Sequence, residues 1–135
     1  MEKDFEPNIF VLVLIPGTPP EFIEKLLDDD IKGLVLRGYG PGNISYNYIK
    51  ALEKARDMKV TVVIDSQCLK GATLMHLNDV GLRALKIGVI QAYDMNIESI
   101  TTKLMWALKR TPYEKMEEVM HTDFTVEINK EGKIY

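Results

Sequence analysis

Two polar segments follow short apolar runs, and their residue types could bind a small molecule. The first is Arg37 with the glycine-rich turn that ends at Asn43, and the second is Asp65–Cys68, which reads Asp-Ser-Gln-Cys. A guanidinium suits a carboxylate, and an amide can donate and accept at once. If both apolar runs are parallel strands, these segments meet at the sheet edge where ligands bind in open α/β folds. For Arg37 a structural ion pair is the equal alternative.

The glycine-rich turn carries Gly38, Gly40 and Gly42. Glycine adopts positive φ without steric cost and lets a ligand or another backbone come close. The spacing is not Gly-x-Gly-x-x-Gly and no helix opens directly on it, so the sequence does not support a dinucleotide fingerprint. A plain strand-to-helix turn is the simpler alternative for the same glycines.

Three other clusters are weaker candidates for chemistry. Ser66, His76 and Asp65 could be assembled into a hydrolase triad, but the Gly-x-Ser-x-Gly elbow is missing around the serine. Thr101–Lys103 are adjacent on a predicted helix and point about 100° apart, so they do not face each other. Asp28–Asp30 follow a predicted helix and are better explained as a solvated turn than as a metal site.

The composition limits the classes of protein to which this chain can belong. The chain has 135 residues, a net charge of −3, 46% hydrophobic and 27% charged residues, which is typical of one soluble domain. No basic run is present to neutralise phosphates, so no nucleic-acid partner is expected, and no apolar stretch reaches the roughly 20 residues that span a membrane. The single cysteine, Cys68, excludes an internal disulfide and, with only two histidines, argues against zinc. We expect no cofactor and no metal.

The start of the chain lacks a charged-then-apolar leader with a small-residue cleavage site. This indicates a cytoplasmic protein or a segment from inside a longer one.

Strand and helix patterns alternate along the chain. We predict an α/β fold of three layers, with a small, mostly parallel sheet of about four strands joined by right-handed crossovers. Ile9–Ile15 is predicted to be a central strand buried on both faces, and Phe124–Ile128 a short edge strand. The other predicted strands are Leu34–Leu36, Val60–Ile64 and Val89–Ile90, and the predicted helices after the first are Tyr46–Met58, Leu77–Lys86, a segment from Asn96, and Tyr113–His121.

Two helix starts carry recognisable signals. Thr18 can cap the first helix, with Pro19 at its first position and Glu21 completing a capping box. Asn96 precedes the best amphipathic segment of the chain and is predicted to cap it.

Three segments together resemble a known family. They are Gly33–Asn43, Val62–Gly71 and Gly88–Met95 followed by Thr102–Trp106. Their order and spacing resemble the C-terminal domain of L-asparaginases, closest to the cytoplasmic type I branch. The resemblance runs from about residue 9 to residue 128, which we take as the domain, with 1–8 as a lead-in and 129–135 as a tail.

This resemblance implies both a fold and an activity. The fold is a three-layer α/β/α domain, and the activity is hydrolysis of L-asparagine to L-aspartate and ammonia through an acyl-enzyme. The nucleophilic threonine and its helpers belong to a larger N-terminal domain, whose Gly-Gly-Thr-Ile and Thr-Gly-Thr-Asp-Thr motifs are absent here. We therefore expect no catalytic residue in this chain and no activity from it alone.

The resemblance also implies roles for single residues. Asn43 matches an asparagine that helps bind the head group of the substrate in a neighbouring subunit, across a tight homodimer. Arg37 and Cys68 match positions that line an asparagine effector pocket. Asn78 replaces the usual tyrosine or acidic residue, so the second-site contact of that position does not carry over. Val126 replaces a glycine, so the C-terminal tail is expected to run differently from that of the family.

Two rivals remain. One is a free-standing module that senses asparagine or another small amino acid through Arg37, Asn43 and Cys68. The other is the C-terminal domain of the D subunit of the archaeal tRNA-dependent amidotransferase, whose pattern tends to have histidine in place of Asn43. The expected partners are accordingly an N-terminal catalytic domain, L-asparagine and a second copy of the chain.

Overall fold

A four-stranded parallel sheet is the centre of the computed structural model, which describes residues 4–68, 71–125 and 128–130. The strand order within these residues is β1-β2-β3-β4, so each strand pairs with the next one along the chain. The strands are β1 (Ile9–Val13), β2 (Gly33–Gly38), β3 (Thr61–Ser66) and β4 (Ile90–Gln91).

The helices lie where the periodicity predicts them, with shorter bounds. Those of the described residues are α1 (Glu21–Asp28), α2 (Ile49–Asp57), α3 (Asp79–Ile87), α4 (Ile97–Leu108) and α5 (Met116–Met120). One turn of 3₁₀ helix precedes each of α2, α3 and α5, at Tyr46–Tyr48, Met75–Leu77 and Tyr113–Lys115. None of the helices in these ranges is both long and apolar enough to cross a membrane.

The sheet is buried on both faces, which produces three layers. Alternate residues of β2 and β3 point to opposite sides. Leu34, Leu36 and Ile64 pack in a core with α1, α2 and α3, whereas Val35 and Val63 pack in a second core with α4 and α5. The predicted three-layer α/β fold is therefore confirmed.

The first strand does not lie where the sequence predicts it. β1 is at the edge of the sheet, and Phe10, Val13 and Ile15 are 44%, 47% and 62% exposed. The prediction of a central strand buried on both faces was wrong. A continuous apolar run indicates a strand but does not specify its place in the sheet.

The predicted capping box of the first helix was also wrong. Helix α1 begins at Glu21 with Pro20 at the N-cap and no side-chain cap. Thr18 instead accepts a hydrogen bond from the backbone nitrogen of Ile15 at 3.1 Å. The threonine hydroxyl is thus bonded to the backbone before it and not to the helix, which begins three residues after it.

The acidic run Asp28–Asp30, which begins at the last residue of α1, is exposed, and two of its aspartates pair with lysines. The Oδ1 of Asp28 is 2.8 Å from the Nζ of Lys54, and the Oδ1 of Asp30 is 2.9 Å from the Nζ of Lys32. This arrangement fits the predicted solvated turn.

The predicted edge strand near the end of the chain is only partly within the described residues. Phe124 and Thr125 form a bend, and Ile128 is buried against the α4 and α5 core without forming a strand. Val126 and Glu127 lie outside the described residues.

Asn96 caps α4 as predicted, because its Oδ1 accepts a hydrogen bond from the backbone nitrogen of Ser99 at 2.8 Å. Asn96→Ala should lower the free energy of unfolding by about 1 kcal/mol, measured by urea denaturation. Asn96→Asp keeps an acceptor at the positive end of the helix and should match the wild type. Equal stability of the alanine and aspartate variants would contradict the cap.

Candidate functional site

The two polar segments meet at the carboxyl edge of the sheet. Strands β2 and β3 are parallel and in register, with Arg37 opposite Asp65 and Gly38 opposite Ser66. The loops after them therefore leave the sheet side by side. This juxtaposition was predicted from the pattern of strands.

Arg37 and Asp65 form an ion pair that joins the two strands. The Nε of Arg37 donates to Oδ2 of Asp65 at 2.8 Å, and its Nη2 donates to the carbonyl of Ser66 at 3.3 Å. The aspartate side chain is only 5% exposed and the arginine 24%. The structural ion pair, one of the two interpretations of Arg37, is thus formed, while Nη1 has no protein partner in the described part of the chain.

Burial dominates the ionisation of Asp65. Removal of the carboxyl from water raises its pKa above the ordinary value of 3.8, and the hydrogen bond and charge of Arg37 oppose this shift without cancelling it. Keeping this buried carboxyl group ionised therefore costs free energy, and the guanidinium beside it reduces that cost.

The glycine turn is closed by its own backbone. Tyr39 and Asn43 exchange two backbone hydrogen bonds, of 2.8 and 2.7 Å. A Cβ on Gly38 would lie 2.6 Å from the carbonyl oxygen of Asn43, so only glycine fits there. Gly40 and Gly42 have φ of +47° and +87°, a region that other residues rarely adopt.

Polar groups of the second loop hold this turn. The hydroxyl of Ser66 donates to the carbonyl of Gly40 at 2.5 Å and accepts from the backbone nitrogen of Cys68 at 3.1 Å. The exposed Cys68 has its Sγ 3.8 Å from the same carbonyl. Arg37 and Cys68, the two predicted effector residues, thus belong to one connected cluster around Ser66 and Gly40.

Gln67 joins three strand ends, a role that the sequence did not reveal. Its Nε2 donates to the carbonyl of Leu14 at 2.6 Å and to that of Arg37 at 2.7 Å. The only signal was a glutamine three residues after the predicted strand Val60–Ile64. Its two acceptors are backbone atoms of distant segments, which no local pattern can identify.

Asn43 lies at the other end of the turn, beside the start of α3. Its side chain is exposed, and its Oδ1 accepts a hydrogen bond from Nδ2 of Asn78 at 2.9 Å. The Oδ1 of Asn78 in turn accepts from the backbone nitrogen of Gly81 at 2.7 Å and caps α3. Sequence reasoning noticed Asn78 only as a departure from the family pattern and did not predict this pair.

The weaker clusters do not assemble into catalytic arrangements. Ser66 is engaged with Gly40, and Asp65 is engaged with Arg37, so neither is bonded to His76. Thr101 donates to backbone carbonyls within α4, as expected for a helix residue. In the described residues no group of three His, Cys, Asp or Glu side chains could hold a metal ion.

Gly38→Ala should lower the free energy of unfolding by about 1–3 kcal/mol, because the new Cβ would lie 2.6 Å from the Asn43 carbonyl and 2.8 Å from the Gly42 carbonyl carbon. Gly71→Ala is the matched control. Its Cβ would meet nothing closer than Cys68 Cβ at 3.6 Å, so stability should change by less than about 0.5 kcal/mol. Denaturant titration that ranks the two variants equally would contradict the close approach at Gly38.

Protonation of Asp65 at acidic pH should increase the stability of the folded protein. Because its pKa is raised in the folded protein, the folded state takes up the proton first as the pH falls, and the gain is complete below the ordinary value of 3.8. As the pH falls from neutral toward 3.8, the free energy of unfolding of the wild type should therefore rise relative to that of Asp65→Asn. Arg37→Met should enlarge the gain, since the hydrogen bond and the charge that oppose the effect of burial on the pKa of Asp65 are then removed. A difference that is constant or moves the other way would contradict this assignment.

Comparison with known proteins gives one family. A model of the glutaminase/asparaginase C-terminal domain matches residues 8–120. Among curated relatives, the D subunit of the glutamyl-tRNA(Gln) amidotransferase of Methanosarcina barkeri is 35% identical over 93% of this chain and 30% of its own length. The corresponding protein of Aeropyrum pernix is 37% identical over 82% of this chain and 26% of its own length.

Solved structures give the same result. The thermostable L-asparaginase of Thermococcus kodakarensis superposes with a TM-score of 0.87 and 35% identity over 93% of this chain. L-asparaginase I of Vibrio cholerae superposes with a TM-score of 0.82 and 29% identity over 90% of this chain. The chain spans 39% and 38% of these two proteins, and less than a third of the curated relatives above.

Proposed function

Because this chain belongs to the glutaminase/asparaginase C-terminal domain family, we propose that it completes the active site of an L-asparaginase whose nucleophile lies in an N-terminal catalytic domain. The substrate is L-asparagine, and the products are L-aspartate and ammonia. The chain contributes binding and positioning groups rather than a nucleophile. The matching L-asparaginases of Thermococcus kodakarensis and Vibrio cholerae support this proposal.

One observation carries the proposal furthest. Asn43 is exposed at the carboxyl edge of the sheet, and its Nδ2 has no protein partner in the described part of the chain. The turn that holds it is closed by the Tyr39–Asn43 backbone pair. A rigid turn that presents a free donor suits the positioning of a substrate, because a pre-organised contact costs little entropy on binding.

The cluster around Ser66 is the proposed effector site. Arg37 uses Nε and Nη2 internally and has Nη1 available for an effector carboxylate, and Cys68 lies beside the Gly40 carbonyl of the same cluster. Because the turn from Gly38 to Asn43 belongs to both sites, an effector bound here would act on the substrate contact through the backbone of the turn.

The proposed assembly is a homodimer in which one protomer lends its Asn43 to the catalytic domain of the other. This part of the proposal rests on the family resemblance. The exposed position of Asn43 is compatible with it, since a neighbour can reach the side chain.

The D subunit of a glutamyl-tRNA(Gln) amidotransferase is the second candidate. The curated relatives from Methanosarcina barkeri and Aeropyrum pernix carry that name at 35% and 37% identity, so their similarity supports this candidate as well as the first. Asn43 is the residue that favours asparaginase, since the amidotransferase pattern tends to have histidine there. The two candidates differ in whether ammonia release depends on glutamyl-tRNA(Gln).

The test is an ammonia-release assay with L-asparagine. The chain alone should be inactive, and its mixture with the N-terminal domain of the Thermococcus kodakarensis L-asparaginase should release ammonia. Asn43→Ala should lower kcat/KM of the mixture by about 10- to 100-fold, because a hydrogen bond to a charged group contributes about 1.5–3 kcal/mol. Asn47→Ala, at another exposed asparagine nearby, is the matched control and should change nothing.

Three outcomes would overturn the proposal. Activity of the chain alone would place a nucleophile within it. A silent mixture that still binds asparagine, with binding lost in Arg37→Ala, would support the sensing module. Ammonia release that requires glutamyl-tRNA(Gln) would support the amidotransferase candidate.

A further inference from the structure

Asn78 uses both ends of its side-chain amide, and each end has a different task. Its Oδ1 accepts from the backbone nitrogen of Gly81 at 2.7 Å, and its Nδ2 donates to Oδ1 of Asn43 at 2.9 Å. Gly81 itself is tightly placed, since a Cβ there would lie 2.0 Å from the carbonyl oxygen of Met75. The start of α3 is therefore packed closely against the backbone of Met75, and only glycine fits there.

The chemistry of these groups determines which way each amide points. A backbone N–H only donates, so the atom of Asn78 that faces Gly81 must be its oxygen. The NH₂ group of Asn78 then faces Asn43, and the atom of Asn43 that meets it must also be an oxygen. The NH₂ group of Asn43 is consequently left without a protein partner in the described part of the chain, on a side chain that is exposed.

We propose that Asn78 is a positioning residue that fixes the amide of Asn43 with its NH₂ group outward, as a donor aimed at a ligand carboxylate. This inference rests on the proposed function, in which Asn43 contacts the head group of the amino-acid substrate. A fixed donor binds a carboxylate oxygen and cannot accept from an ammonium group. The contact that Asn78 fixes is therefore one between the NH₂ group of Asn43 and the α-carboxylate of the substrate.

Three substitutions at position 78 separate positioning from helix capping. Asn78→Asp keeps the acceptor for Gly81, but its second oxygen can only accept, so the amide of Asn43 must turn over and present its oxygen. Asn78→Ser keeps a capping hydroxyl and is too short to reach Asn43, which leaves that amide free to rotate. Asn78→Ala removes both contacts. Melting temperatures should group the aspartate and serine variants with the wild type, and only the alanine variant should be lower.

The direct test is hydrogen exchange of the side-chain amides in the ¹⁵N-labelled chain. In the wild type, the Nδ2 protons of Asn78 should exchange more slowly than those of Asn43, by about threefold or more. In Asn78→Asp, the protons of Asn43 should become the protected ones by a similar factor. Protected Asn43 protons in the wild type, or no change of their exchange in a folded Asn78→Asp, would overturn the inference.

The kinetic test uses the mixture with the Thermococcus kodakarensis N-terminal domain. Asn78→Asp should raise the KM for L-asparagine by about tenfold with kcat changed less than about twofold, because a donor to the carboxylate is replaced by an acceptor. Asn78→Ser should raise KM less than Asn78→Asp, although both keep the cap. Equal KM values for the wild type and the aspartate variant would contradict the inference.

The two tests fail separately. A mixture that is silent with every variant contradicts the proposed function, whereas the exchange measurement on the chain alone still decides the orientation of Asn43. An active mixture without reversed protection contradicts only the role of Asn78.

Discussion

The candidate site depends on the ion pair between Arg37 and Asp65. These residues face each other in register on β2 and β3, so their 2.8 Å contact joins the ends of the two strands from which both polar loops depart. Asp65 is almost completely buried. Removal of one partner from such a pair leaves an uncompensated charge and costs about 3–5 kcal/mol, so the pair holds the two loops in a fixed relation.

The loops built on that pair use most of their polar groups on one another. Ser66 supports Gly40, and Gln67 joins the carbonyl groups of Leu14 and Arg37. These internal hydrogen bonds occupy the serine hydroxyl and the aspartate that could otherwise have taken part in chemistry at this edge of the sheet. The described residues of these loops leave the Nδ2 of Asn43 and the Nη1 of Arg37 as outward donors, and the proposed function rests on these two groups.

Several features of the fold could be predicted because they depend on local pattern. Strands, helices and the cap at Asn96 follow from apolar periodicity and from the chemistry of a helix N-terminus. The edge position of β1 could not be predicted, because an apolar run such as Ile9–Ile15 is equally compatible with a central and an edge strand. The false cap at Thr18 shows a different limit, since its hydroxyl bonds to the backbone nitrogen of Ile15 instead of the helix start, and the motif cannot tell these two partners apart.

For the site, the sequence alone determined which polar residues follow the strands and, through family resemblance, that Asn43, Arg37 and Cys68 are candidates for binding. Only the tertiary structure decided their partners. Asn43 and Asn78, whose side-chain amides connect the glycine turn to α3, are 35 residues apart in the sequence. Gln67 bonds to a backbone carbonyl that is 53 residues away. Such contacts arise from parallel alignment of strands and from packing of a helix on a loop, and these bring together residues whose spacing along the chain carries no periodic signal.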